Sequence, residues 1–235
     1  LSVLRGFTTP RHELRKPIRR AGIFKTMRKP ATAKTDQAVA EWSAAREDAR
    51  NCRACDLWRP ATQTVFGEGP ARAPLMFVGE QPGDKEDLAG MPFVGPAGRI
   101  LDRGLADAGI ARDKAYVTNA VKHFKFVRRG KIRLHQKPDT AEIKACNQWL
   151  AREQEIVRPA LIVAMGATAA RAVFRRPMPI GRNRGRVFEL EAGAKALITV
   201  HPSFLLRMEE ADRAREYARF VADLRLARPF AGASV

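Results

Sequence analysis

Apolar residues follow two rhythms along this chain. Four short runs are almost continuously apolar, at residues 73–79, 114–121, 159–166 and 195–200. Each is short and lies beside glycine, proline or polar turn residues, the pattern of strands buried on both faces. Between them the period lengthens to three and four. Residues 95–109 carry Ile100, Leu101 and Leu105 at helical spacing and end at Gly109, a C-cap. Residues 139–157 open with an N-cap signal, and 36–51, 167–174 and 209–227 also read as helices. Strands alternating with helices predict an α/β fold, a three-layer αβα arrangement around a central parallel four-stranded sheet. No internal repeat is visible.

Residues 1–36 break the pattern. Ten Lys and Arg stand there against Glu13 and Asp36, three prolines interrupt the stretch, and neither period persists. Such a segment buries too little surface to offset its ordering entropy, so a basic, flexible N-terminal arm is expected, followed by one domain over 37–235.

Composition narrows the class. Of 235 residues 45% are hydrophobic, enough for a full core, and the net charge is +18. That excess exceeds what solubility requires and points to a polyanionic partner, nucleic acid above all. No apolar run approaches the ~18 residues that span a bilayer, and no signal-peptide stretch opens the chain, so a cytoplasmic location without membrane contact is expected.

In parallel sheets chemistry gathers at the carboxyl ends of the strands. Here the first strand runs into GEQPGDKED (79–87), the second ends in Asn119 and continues to His123, and the last leads into HPS (201–203). The three cysteines are Cys52, Cys55 and Cys146. An odd count with no sign of export argues against disulfides. The C-x-x-C pair with Cys146 needs a fourth ligand, for which His123 is the best candidate. Ligand softness suits zinc and an iron–sulfur cluster equally.

The segments CRAC, TVFGEGP, LMFVGEQPGDKEDLAGMPFVGPAGR, YVTNAVKHFKF, ACNQWL, IVAMGATAA and HPSFLLR occur in the order seen in iron–sulfur uracil-DNA glycosylases, which the chain resembles from about residue 40 to 225. Within that superfamily it looks most like the UdgX-type branch, related to family 4. The features are Gln81, His123 where family 4 carries cysteine, and a basic loop bearing a histidine. The branch's loop typically reads KRRIH; here it reads KIRLH (131–135), so Arg133 and His135 fit while Ile132 and Leu134 depart. The resemblance implies the uracil-DNA glycosylase-like fold and a [4Fe–4S] cluster on Cys52, Cys55, His123 and Cys146. It further implies a largely structural cluster, since excision needs no electrons.

An N-glycosylase must take the base out of its stack and into a pocket. Phe93 is expected to stack on the ring and Asn119 to read its edge, accepting from N3–H and donating to O4. Bond cleavage leaves a uracil anion that needs donors at O2, for which His201 and amides of the 79–84 turn are candidates. Gly79 and Gly83 permit close backbone approach. Glu80, Gln81 and Asp84 lie in that turn, and Glu80 is favoured as the acid–base group.

The stretch RRGKIRLHQKP (128–138) holds His135 among cations. Lys131, Arg133 and Lys137 are expected to meet phosphates, and His135 to attack C1′ once uracil has left, giving a covalent adduct. The expected partner is uracil-containing DNA, preferentially single-stranded, acted on by a monomer with release of uracil. An ordinary hydrolytic glycosylase is the main rival, followed by a non-catalytic DNA-binding module and, distantly, a redox protein.

Overall fold

A computed structural model of the chain describes residues 30–232. The expected arm therefore falls mostly on residues 1–29, outside the described residues. Helix α1 (Pro30–Arg50) begins six residues earlier than the sequence suggested. Proline is at home in a first helical turn, and the alanines that follow are good helix formers.

The order continues as β1 (Leu75–Gly79), α2 (Asp84–Ala89), α3 (Pro96–Ala108), β2 (Ala115–Asn119), β3 (Phe126–Arg129), β4 (Ile132–His135), α4 (Thr140–Val157), β5 (Leu161–Met165) and α5 (Ala167–Phe174). It closes with α6 (Ile180–Asn183), β6 (Arg186–Glu189), β7 (Lys195–Thr199), α7 (Pro202–Leu206) and α8 (Glu210–Arg225). The main sheet has the order β2-β1-β5-β7-β6. Its first four strands are parallel, as expected, and β6 adds a fifth, antiparallel edge strand. The short RVFE segment of β6 escapes a search for long apolar runs because its outer face is exposed.

Strands β1, β2 and β5 are buried along their whole length. Alternation sends Leu75 and Phe77 to one face, against Leu101 and Leu105 of α3 and Phe220 and Leu224 of α8. Met76 and Val78 point the other way, into a core with Ala45 and Ala49 of α1 and Trp149 and Leu150 of α4. Three layers result. Strand β1 lies between β2 and β5, where the chain's crossovers change direction, so its carboxyl end opens a crevice.

A second sheet, the β3–β4 hairpin, occupies the stretch read from sequence as a loop. Gly130 at φ 60° is the first residue of its two-residue turn, a position glycine fills without strain. Cross-strand pairing puts His135 opposite Phe126 and Arg133 opposite Arg128 on one face. Ile132 and Leu134 take the other face with Arg129 and Val127.

Candidate functional site

The pocket is built over Gly79, the last residue of β1, whose register partner across the ladder is Asn119 at the end of β2. A Cβ at Gly79 would stand 2.4 Å from Asn119 Oδ1, 2.7 Å from Phe93 Cζ and 3.2 Å from His201 Nε2. Three side chains named from the sequence thus converge over a floor only glycine can form. Phe93 reaches it at φ 59°, a strained conformation for a bulky residue, and its ring stacks on His201 with centroids 6.1 Å apart. The Glu86 carboxylate holds the surrounding turns together, accepting from Gly95 N at 2.7 Å and Gly83 N at 3.1 Å. The Gly83 amide, expected to approach the base, here donates to Glu86.

His201 follows β7 and caps α7. Its Nδ1 accepts from Ser203 N at 3.2 Å, so the neutral ring carries its hydrogen on Nε2, the atom facing the pocket. Desolvation pushes His201 down to about 4, against the pull of Glu80. At neutral pH it is an uncharged donor.

Glu80 lies one residue beyond β1. Its Oε2 accepts from Thr168 Oγ1 at 2.5 Å, and its Oε1 lies 3.3 Å from His135 Nε2. Burial would raise this carboxyl, but the hydrogen bonds from His135 and Thr168 outweigh it and hold it below the ordinary glutamate value.

Arg133 and Gln81 fix the hairpin that carries His135. Arg133, only 10% exposed, donates to Asp84 and Asp87 at 2.5 Å each and lies over the rings of Phe124 and Phe126. The Gln81 amide donates to the carbonyls of Lys125 and Gln136 and its oxygen accepts from Lys125 N, binding both roots of the hairpin. Arg133, expected to meet phosphate, here faces inward; Asp84, expected as a catalytic carboxylate, is its ion-pair partner; and Gln81 spans the roots of the hairpin. Lys131 stands exposed at the turn.

The sequence reading missed Lys122 and Glu153. They are 1% and 0% exposed, with Nζ 2.6 Å from Oε2. Lys122 Nζ also donates to Thr118 Oγ1 and the Asn119 carbonyl, while Glu153 accepts from Gly67 N, Tyr116 Oη and Thr118 Oγ1. This saturated network fixes the strand end that presents Asn119. A lysine inside the apolar run NAVKHF was its one sequence signal.

Cys52 and Cys146 belong to one core, with Cys55 packed against it. Trp149 Nε1 donates to Cys52 Sγ at 3.1 Å and Lys122 N to Cys146 Sγ at 3.2 Å. Burial pushes the Cys146 thiol up to about 12, so it ionises only where bound positive charge compensates. His123, 2.9 Å from Thr64 Oγ1, is pushed down to about 4 by burial and is a neutral imidazole. Among the described residues no group of three or more His, Cys, Asp and Glu is gathered closely enough for a metal ion. The donor chemistry, soft buried sulfurs receiving N–H bonds beside a neutral imidazole, still suits an iron–sulfur group.

Comparison with known proteins agrees with this architecture. The family model described as the uracil DNA glycosylase superfamily matches residues 66–225. A type-4 uracil-DNA glycosylase of Thermotoga maritima is 37% identical over 178 residues, 75% of this chain and 87% of that protein. The type-4 enzyme of Archaeoglobus fulgidus is 36% identical over 66% of this chain and 78% of its own length. That of Saccharolobus solfataricus is 34% identical over 68% and 74%. With matches of this extent spanning the pocket strands, the chain belongs to the uracil-DNA glycosylase superfamily.

Proposed function

We propose that this protein excises uracil from DNA and then bonds to the abasic sugar through His135, as the UdgX-type resemblance implies. The observation that carries the reading is the 3.3 Å approach of His135 Nε2 to Glu80 at the rim of the Gly79–Asn119–Phe93–His201 pocket. The substrate is uracil-containing DNA, preferentially a single strand, from which a base is turned out at least cost. A single copy of the chain acts on it.

In this reading Phe93 stacks on uracil while Asn119 accepts from N3–H and donates to O4. Cytosine, with the reverse pattern, would leave both polar groups unpaired. The C1′–N1 bond breaks with its electron pair going to N1, and His201 Nε2–H donates to the growing charge on O2. Glu80 takes the hydrogen from His135 Nε2, whose electron pair then forms the bond to C1′. The proton ends on N1 of the released uracil. Atoms and charge balance: one hydrogen leaves the histidine and one base is exchanged for it.

Cys52, Cys55, Cys146 and His123 would hold a [4Fe–4S] cluster. When bound it would supply ligand bonds that tie the C-x-x-C segment to α4 and the strand end before His123, with no electron transfer in excision.

His135 is 49% exposed, so water can reach the same position. Plain hydrolysis is therefore the competing reading, with His135 meeting only phosphate. Incubation with uracil-containing single-stranded DNA followed by a denaturing gel separates the two. A retarded protein–DNA band that vanishes in His135→Ala supports the covalent step. Free abasic product with no such band from the intact protein overturns it. His135→Ser is expected to release uracil with turnover, as water takes the vacated place.

A further inference from the structure

The net charge of +18 is not used up by the pocket. Two hollows, of about 420 and about 410 Å³, share Thr140, Ile143 and Arg171 and so make one furrow between α4 and α5. It opens beside the pocket. Thr168, the residue that donates to Glu80, lines its first part, as does Lys137, two residues after His135. Its second part follows α4 as far as Ala151. From Thr140 to Ala151 the helix advances about 16 Å, room for several nucleotides of extended strand.

Lys137, Lys144, Arg171 and Arg175 line this furrow, and none of them is ion-paired with a described residue. Several arginines elsewhere are instead matched to carboxylates, Arg133, Arg152 and Arg184 among them. The one acid in the lining, Asp139, is occupied as the cap of α4 and as a partner of Lys125. Arg175 holds a left-handed backbone, φ 55°, at the end of α5, a place where glycine would be free of strain. The floor is apolar and includes Ile143, Ala172 and Met178 but no aromatic ring. Unmatched cations over a floor without stacking groups recognise a phosphate backbone rather than bases.

We propose that this furrow carries the single-stranded DNA flanking the target uracil away from the pocket, binding it through phosphates without regard to sequence. The inference rests on the reading that the chain acts on DNA. It makes excision depend on the length of strand beyond the base.

The test uses the full chain and its Arg171→Gln/Arg175→Gln variant. Affinity for a uracil-free single strand of about 15 nucleotides is followed by fluorescence anisotropy across a salt series. Uracil release is compared on that length of strand and on a trinucleotide with central uracil. The variant is expected to bind about tenfold more weakly, with the slope of log affinity against log salt reduced by about 1.4, at roughly 0.7 for each phosphate lost. Its release of uracil from the trinucleotide is expected to match that of the unaltered protein. Unchanged affinity and slope would overturn the proposal, and so would an equal loss on the trinucleotide. Should the unaltered protein release no uracil from either substrate, the glycosylase reading fails while the anisotropy series still decides the furrow.

Discussion

His135 Nε2 and Glu80 Oε1 stand 3.3 Å apart although His135 closes the hairpin and Glu80 follows β1 of the main sheet. That contact joins the group that would bond to sugar and the group that would take its hydrogen. Glu80→Gln keeps the size of the side chain and removes the proton acceptor. Adduct formation is expected to slow by about 10²–10⁴-fold, read as the time course of the retarded band. An unchanged rate would remove Glu80 from the chemistry.

The hairpin makes a second prediction by face. Arg133→Ala strips the counter-ion from Asp87, which is fully buried, and is expected to cost about 3–5 kcal/mol in urea unfolding and to abolish the adduct. Ile132 is 64% exposed on the opposite face. Ile132→Arg, which puts a basic residue on that face, is expected to stay within about 0.5 kcal/mol and to leave the adduct intact. Loss of adduct in the Ile132 variant would mean that both faces act.

The Lys122–Glu153 pair yields a stability prediction. Either Lys122→Met or Glu153→Gln leaves one buried charge unmatched, at a cost of about 3–5 kcal/mol. The double variant is expected to lose less than the sum, because the second change removes the charge the first exposed. Urea midpoints of the three variants measure this, and strict additivity would show that the two groups do not interact.

His201 yields a pH prediction. Its imidazole titrates at 6.5 in the unfolded chain and at about 4 in the folded one. Between those values the unfolded chain binds a proton the folded chain refuses, so stability falls as pH falls through this window. Below it no further loss accrues. The stability of the unaltered protein relative to His201→Asn is expected to shrink by up to about 3 kcal/mol from pH 7 to pH 4. A constant difference would mean that the ring takes up its proton as readily in the fold as in the unfolded chain.

Much of the fold was legible because burial writes itself into composition. Leu75 to Val78, Val117 and Leu161 to Met165 are apolar on both sides of the chain, which only a central parallel strand requires. Strand β6 and the hairpin were not legible. Val127, Ile132, Leu134 and Val187 are exposed, and a strand with one wet face leaves a signal too weak to separate from a loop. Gly79, Phe93, Asn119 and His201 could be named because they lie in the motifs that carry the family resemblance, at strand ends and turns.

The sequence by itself determined the layers of the sheet, the charge that invites a polyanion and the residue types a uracil pocket needs. Only the tertiary structure decided what each polar side chain faces. It turned Arg133 and Asp84 toward each other, put Gln81 at the roots of the hairpin and hid Lys122 against Glu153. The physical reason is range. Hydrophobic period and turn chemistry act over a few residues, whereas a charge is matched by whatever the fold brings within about 3 Å, here from 49 positions along the chain for Arg133 and Asp84.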